Sequence, residues 1–288
     1  MGTKAKVAFG IPTYGNQHPT WWVPFIRQVG LLHTYDIEFI DVFQHGTMRT
    51  DGNRNRIARQ FLESEAEWLY WVDADNVNPI ASIRRLLDTA GDTRTIVSGI
   101  YYTKEKNPIP VVYVHAANGR YRPLTQWERG EIIRVDAAGM NCCLMHRSVL
   151  EDIDKNYVSL RIGIGGDIAV HRDDIEGDTF QEAGDLTDNK VIDGQFRFRV
   201  FTPTEQVHVP FFELRFGRTE DMNFFEKAQR VGHQLWLDTS VECGHLKEMQ
   251  VDGKDYREGN NSRHWVRETG EEPVAGYDPE DSDFFTVT

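Results

Sequence analysis

Trp68-Leu-Tyr-Trp-Val-Asp73-Ala-Asp75-Asn76 is an apolar, aromatic run that stops abruptly at two carboxylates separated by one residue. Read as a buried strand over Trp68 to Val72, it has a period of two, which puts Asp73 and Asp75 on one side and Ala74 on the other. Two carboxylates converging at a strand end repel each other and call for a compensating charge. Hard oxygen ligands suit Mg²⁺ or Mn²⁺, and such an ion in turn carries a diphosphate. The competing reading is a plain turn, in which Asp and Asn are common. The triplet alone does not separate the two.

Working outward, Lys6-Val-Ala-Phe-Gly-Ile11 reads as a buried strand closed by the turn-forming Pro12-Thr-Tyr-Gly15, and Ile37 to Phe43 as a second strand. From Asn53, Ile57, Phe61 and Leu62 recur at helical spacing among Arg54, Arg56, Arg59, Glu63 and Glu65. After Trp68 to Val72, the residues Ile80, Ile83, Leu86 and Leu87 predict another helix that ends near Gly91, and Thr95 to Tyr102 returns to strand. This alternation predicts an α/β domain with a mostly parallel central sheet flanked by helices. Ligands of such sheets bind beyond the carboxyl ends of the strands. Pro12-Thr13 and Asp73-Ala-Asp75 both follow strands, so they share one crevice.

The second half is less regular. Glu131 to Asp136 and Asn141 to Met145 read as strands, and Ser148 as the cap of a short helix through Ile153. Residues 161–194 are rich in Gly and Asp and poor in large apolar groups, which predicts a polar insertion, either solvated surface or a lid over substrate. Thr219 is a candidate N-cap, Phe224, Phe225, Ala228 and Val231 form an apolar stripe, and Gly232 stops the helix. Glu220 and Asp221 then occupy its first turn. They either complement the helix dipole or hold a general base at a pocket edge. Gln234 to Leu237 is a further strand, followed by Cys243-Gly-His245. The three cysteines lack the paired spacings of zinc sites, and their odd number suits a reducing compartment. Residues 1–249 are expected to form one domain and 250–288 an acidic C-terminal extension.

The 288 residues, 40% apolar and 11% aromatic, support a sizeable core. No run approaches the about eighteen apolar residues of a membrane span, and no signal peptide is evident, so a cytoplasmic protein is expected. Thirty-two basic against forty-five acidic residues leave a formal charge of −13, which repels nucleic acid and anionic membranes at long range.

In order as well as in kind, these segments resemble the nucleotide-sugar-dependent glycosyltransferases of the GT-A fold, in particular the family-2-like group, including bacterial and phage versions. The resemblance spans about residues 5–248. It rests on Ile11-Pro12-Thr13-Tyr14, on Arg54-Asn55 leading to the Asp73-Ala74-Asp75 triplet (the DXD motif), and on Ala137-Ala-Gly-Met-Asn-Cys-Cys-Leu-Met-His-Arg147. It continues with Glu220-Asp221 opening a helix that ends at Gly232, and with the late His245.

The resemblance implies a hexosyl- or pentosyltransferase that takes its sugar from a nucleoside diphosphate, UDP being favoured, with Mn²⁺ or Mg²⁺ as cofactor. Residue by residue, it implies Asp75 as a direct metal ligand, Asp73 at the metal or the ribose, and His245 completing the metal site. Pro12, Thr13, Tyr14, Arg54 and Asn55 would line the donor pocket. Asp221, with Glu220 as second choice, would be the base that deprotonates the acceptor hydroxyl in an inverting reaction; retaining members also exist. The acceptor stays open among a glycan, a protein side chain, a small molecule and a modified phage DNA base. A sugar-nucleotide nucleotidyltransferase would need a Gly-rich basic loop where Pro12-Thr-Tyr-Gly-Asn16 stands. The remaining alternative is a catalytically inactive binding or assembly module on the same fold.

Overall fold

The computed structural model describes residues 4–13, 19–46, 49–105, 107–116, 120–161, 167–174, 189–192, 196–199, 208–215 and 218–246, with backbone alone at 19, 160–161, 167, 189–192 and 196–199. The first half contains β1 (Ala5–Thr13), α1 (Pro19–Leu31), β2 (Ile37–Gly46), α2 (Thr50–Glu63), β3 (Trp68–Trp71), β4 (Asn76–Val77), α3 (Ser82–Thr89) and β5 (Ile96–Ile100). Next come β6 (Val112–His115), β7 (Tyr121–Pro123), β8 (Ile132–Val135), β9 (Ala137–Ala138), β10 (Cys143–His146) and α4 (Arg147–Asn156). The last elements are β11 (Tyr157–Arg161), β12 (Asp167–His171), β13 (Asn189–Ile192), β14 (Phe196–Arg199), α5 (Glu220–Arg230), β15 (Leu235–Glu242) and β16 (Gly244–His245).

Seven strands form the central sheet in the order β2-β1-β3-β10-β5-β15-β8. β2, β1, β3, β5 and β15 run one way, and β10 and β8 oppose them. The expected mostly parallel sheet flanked by helices is therefore present.

The pleat of β1 sorts the core into two layers. Val7, Phe9 and Ile11 face one side, where Tyr70, Val97 and Leu144 meet Trp21 of α1 and Ile83 and Leu86 of α3. Ala8 faces the other, where Trp71, Ile96 and Met145 meet Ile57, Ala58 and Phe61 of α2, Leu150 of α4 and Phe224, Phe225 and Ala228 of α5. Burying one such large side chain contributes about 1.5–3 kcal/mol, so the two layers supply the main driving force. Gly10 lets α2 approach the sheet. A Cβ there would stand 2.8 Å from Ile57 Cγ2 and 2.9 Å from Trp71 Cε3, closer than packed atoms come.

Several local expectations need correction. The strand ends at Trp71, and Asp73 and Asp75 lie in a turn closed by the Asn76 amide donating to the Asp73 carbonyl at 3.2 Å. The pleat therefore does not bring the two carboxylates together. The residues from 147 are capped by His146, whose ring accepts from the Ser148 amide, so Ser148 lies inside the helix and not at its cap. Thr219 stands at the N-cap of α5 but makes no side-chain capping bond. Helix α1 carries Pro24 in its interior and escapes a reading based on helix breakers.

Parts of the polar insertion are strands and not loop: β12 pairs with β11, and β14 joins them in a four-stranded sheet with β13. Tyr14, residues 162–166, 175–188 and 193–194 of that insertion and residues 247–288 lie outside the described residues. No helix among the described residues is long and apolar enough to cross a membrane.

Candidate active site

The parallel strands β1, β3, β5 and β15 all end on one edge of the sheet, and the antiparallel β10 begins there. This edge gathers Thr13 after β1, Asp73 and Asp75 after β3, Lys104 after β5, Asn141 before β10 and His245 after β15. Residues scattered over more than two hundred positions meet because a parallel sheet returns every strand end to the same side.

The Asp73–Asn76 turn is fixed from several directions. Its Asp73 amide donates to Asn141 Oδ1 at 3.0 Å, and its Asp73 carbonyl accepts from the buried Trp21 indole at 3.0 Å. Asn141 in turn donates to Asn78 Oδ1 at 2.9 Å, and Asn78 to the Tyr70 hydroxyl at 3.0 Å. Such a connected, buried polar network holds backbone that neither helix nor sheet pairing would hold. From outside, β16 pairs with β4, setting His245 opposite Asn76, and the Leu246 amide donates to the Asp75 carbonyl at 2.7 Å.

Two charge clusters sit around this turn. In the first, Arg54 of α2 is the hub, with its side chain only 3% exposed. Its Nη2 donates to Asp73 Oδ1 and Oδ2 at 3.1 and 3.3 Å, and its Nε lies 3.4 Å from Glu220 Oε1 and 3.5 Å from Asp221 Oδ1. The guanidinium also lies over the Trp71 ring, 5.4 Å from its centroid. Burial opposes the Arg54 charge, but Asp73, Asp221 and Glu220 outweigh it and keep the group firmly protonated.

One cation facing three carboxylates leaves the cluster short of positive charge. Burial pushes the Asp221 carboxyl up to about 7, Arg54 pulling it down and Glu220 and Asp73 pushing it further up. Asp73 is also raised, first by burial, against the pull of Arg54. The buried Asp221 Oδ1 has no hydrogen-bond partner among the described residues.

The second cluster is more open. Asp75 Oδ1 accepts from its neighbour Asn76 at 2.9 Å, while Oδ2 faces Lys104 Nζ at 2.6 Å and His245 Nε2 at 3.4 Å. Burial acts to raise the Asp75 carboxyl, but His245 and Lys104 together hold it well below the usual carboxylate range. His245 Nδ1 lies 2.7 Å from the Tyr102 carbonyl, which can only accept, so the proton belongs on Nδ1. Nε2, the other ring nitrogen, is turned toward Asp75 Oδ2, and a histidine held through Nδ1 in this way can present Nε2 to a metal.

The structure brings Asp75 and His245 together but commits Asp73 to Arg54. Among the described residues no group of three His, Cys, Asp or Glu side chains is placed to hold a metal ion. The donor set at Asp75 and His245 still fits Mg²⁺ or Mn²⁺, which protein sites commonly hold through one or two side chains together with substrate phosphates. Arg54 is enclosed by its own acids. Asn55 is occupied elsewhere: its amide donates to the Phe212 carbonyl at 2.6 Å and accepts from the Phe212 amide at 2.9 Å. Thr13 is buried and hydrogen-bonded to the His45 carbonyl at 3.2 Å, and Pro12 pairs alongside it with His45 in the sheet. Trp21 and Tyr101, near the same edge, are buried, so neither offers an open face on which a sugar could stack. Lys104 was not a sequence candidate; its place just beyond a parallel strand was the available signal.

No protein-family model matches this chain, and no curated protein matches it. Among solved structures it is similar to A197 from STIV, with 16% identity over 84% of this chain and 86% of that one and a TM-score of 0.47. It is also similar to GalNAc-T7 with UDP, GalNAc and Mn²⁺, with 9% identity over 86% of this chain and 45% of that one and a TM-score of 0.44.

Proposed function

We propose that this protein is a metal-dependent glycosyltransferase that moves a sugar from a nucleoside-diphosphate sugar to an acceptor hydroxyl with inversion. The observation that carries the reading is the Asp75–His245 pair, with the His245 proton held at Nδ1 by the Tyr102 carbonyl and Nε2 turned toward the carboxylate at 3.4 Å. Asp75 Oδ2 and His245 Nε2 would hold Mn²⁺ or Mg²⁺, which when bound supplies Lewis-acid stabilisation of the departing diphosphate. Asp73, paired to Arg54, would face the ribose, and Thr13 and Pro12 would form the floor of the nucleoside pocket.

Asp221 is assigned as the base. A carboxyl pushed up to about 7 is far better matched to accepting a proton near neutral pH than an ordinary aspartate. Arg54 Nε lies 3.5 Å from its Oδ1, an oxygen without a hydrogen-bond partner among the described residues, and the Met140 backbone also holds the carboxyl. Support for an active enzyme over an inert module comes from that raised carboxyl and the preset histidine tautomer, which a packing role does not need.

The test is a panel of nucleoside diphosphates and their sugars, with Mn²⁺ or with a chelator, read by thermal shift and donor hydrolysis. A ligand at about a hundred times its dissociation constant adds about 2.7 kcal/mol of stability, an easily read rise in melting temperature. Stabilisation by one nucleotide only when Mn²⁺ is present is expected. No stabilisation by any nucleotide would overturn the reading in favour of a binding or assembly module.

A further inference from the structure

Lys104 is a third side-chain partner of Asp75, beside Asn76 and His245. Its Nζ stands 2.6 Å from Asp75 Oδ2, the same oxygen that His245 Nε2 approaches to 3.4 Å. The other oxygen, Oδ1, is already taken by Asn76. Oδ2 therefore faces two partners, and the Lys104 ammonium is the nearer of them.

Lys104 is also easily displaced. Its side chain is 39% exposed and that of Asp75 is 50% exposed. A screened pair of this kind holds with about 1 kcal/mol or less. Behind it the backbone is anchored: the Thr103 amide donates to the Ile109 carbonyl at 2.9 Å and the Ile109 amide to Thr103 Oγ1 at 3.1 Å, closing the loop that begins after β5. The lysine therefore has a fixed root and a four-carbon stem free to swing. The buried Arg54, enclosed by three acids, has no such freedom.

Resting on the proposed function, we infer that Lys104 is a resident counter-ion of the metal site and a ligand of the donor diphosphate. A divalent cation at Asp75 and His245 repels the ammonium, which then finds the diphosphate oxygens as its new partner. Lys104 thus opposes metal binding to the free protein and favours it once nucleotide is present, so cation and nucleotide load together. By linkage the two effects belong to one coupling between the sites.

The experiment measures Mn²⁺ binding to the full chain by the loss of the free-ion EPR signal, with and without UDP or GDP, in wild type, Lys104→Gln and Lys104→Arg. Lys104→Gln is expected to bind Mn²⁺ alone about fivefold more tightly, the factor that a pair of about 1 kcal/mol represents, and to bind the nucleotide with saturating Mn²⁺ at least about fivefold more weakly. Lys104→Arg is expected to stay near wild type in both. Equal constants in wild type and Lys104→Gln, or weaker binding of Mn²⁺ alone by Lys104→Gln, would overturn the role of Lys104 and leave the proposed function standing. Wild type that binds neither Mn²⁺ nor any nucleotide would overturn both.

Discussion

Arg54 shows how much of this site depends on a single buried charge. Removing one partner from a buried ion cluster commonly costs about 3–5 kcal/mol, because the others are left uncompensated. Arg54→Gln should therefore be strongly destabilised in urea unfolding, and Arg54→Gln combined with Asp221→Asn should recover part of the loss, since it also removes a stranded carboxylate.

Asp221 makes a second prediction through pH. Its folded-state value, about 7, lies above the ordinary value of about 3.9, so its contribution to stability is complete below about pH 4 and is lost as pH rises through about 7. Wild type should thus lose stability relative to Asp221→Asn between about pH 4 and 8, measured as the difference between their urea midpoints. In catalysis Asp221→Asn should abolish transfer while nucleotide binding with Mn²⁺ persists; undiminished transfer would remove Asp221 as the base. Asp75→Ala should lower the rate by roughly 10² or more, given what a metal contributes to a developing diphosphate charge.

At the scale of elements, α2 is fastened at both ends of its role. Near its start it delivers Arg54 to the carboxylates, and near its end the Arg147 guanidinium donates to the carbonyls of Leu62, Ser64 and Ala66 at 2.8, 3.2 and 2.7 Å while its Nε donates to Glu151 at 2.9 Å. This satisfies carbonyls that the end of a helix leaves open and places positive charge where the helix dipole favours it. Asn55 adds a two-way clamp on the Phe212 backbone, which ties the segment before α5 to α2. Asn55→Ala would strand both Phe212 groups, at about 1–3 kcal/mol, and should lower stability and slacken the placement of Asp221 together, seen as a drop in both melting temperature and transfer rate. Asn55 and Arg147 both belong to segments on which the family resemblance rests. Their observed contacts are structural, which explains such residues without any contact to substrate.

For the whole molecule, the strongly patterned elements were legible from residues alone. Val7, Phe9 and Ile11 against Ala8 disclose a strand between two layers, and Ile57 and Phe61 disclose a helix, because burial imposes a period that the sequence must carry. Helix α1 and the strands within 161–194 were missed, since Pro24 hides the first and a Gly- and Asp-rich composition hides the second. The Asp73 and Asp75 pair was visible as an oddity, but for a reason that did not hold: a turn, not a pleat, sets their relation. What the amino-acid order determined by itself was the alternation of strands and helices and the placing of polar residues just beyond strand ends. Only the tertiary structure decided that Arg54 serves the acids and that His245 and Lys104 share one oxygen of Asp75. Periodicity is a local consequence of burial, whereas charges separated by 170 residues meet only after the sheet has folded its strand ends onto one edge.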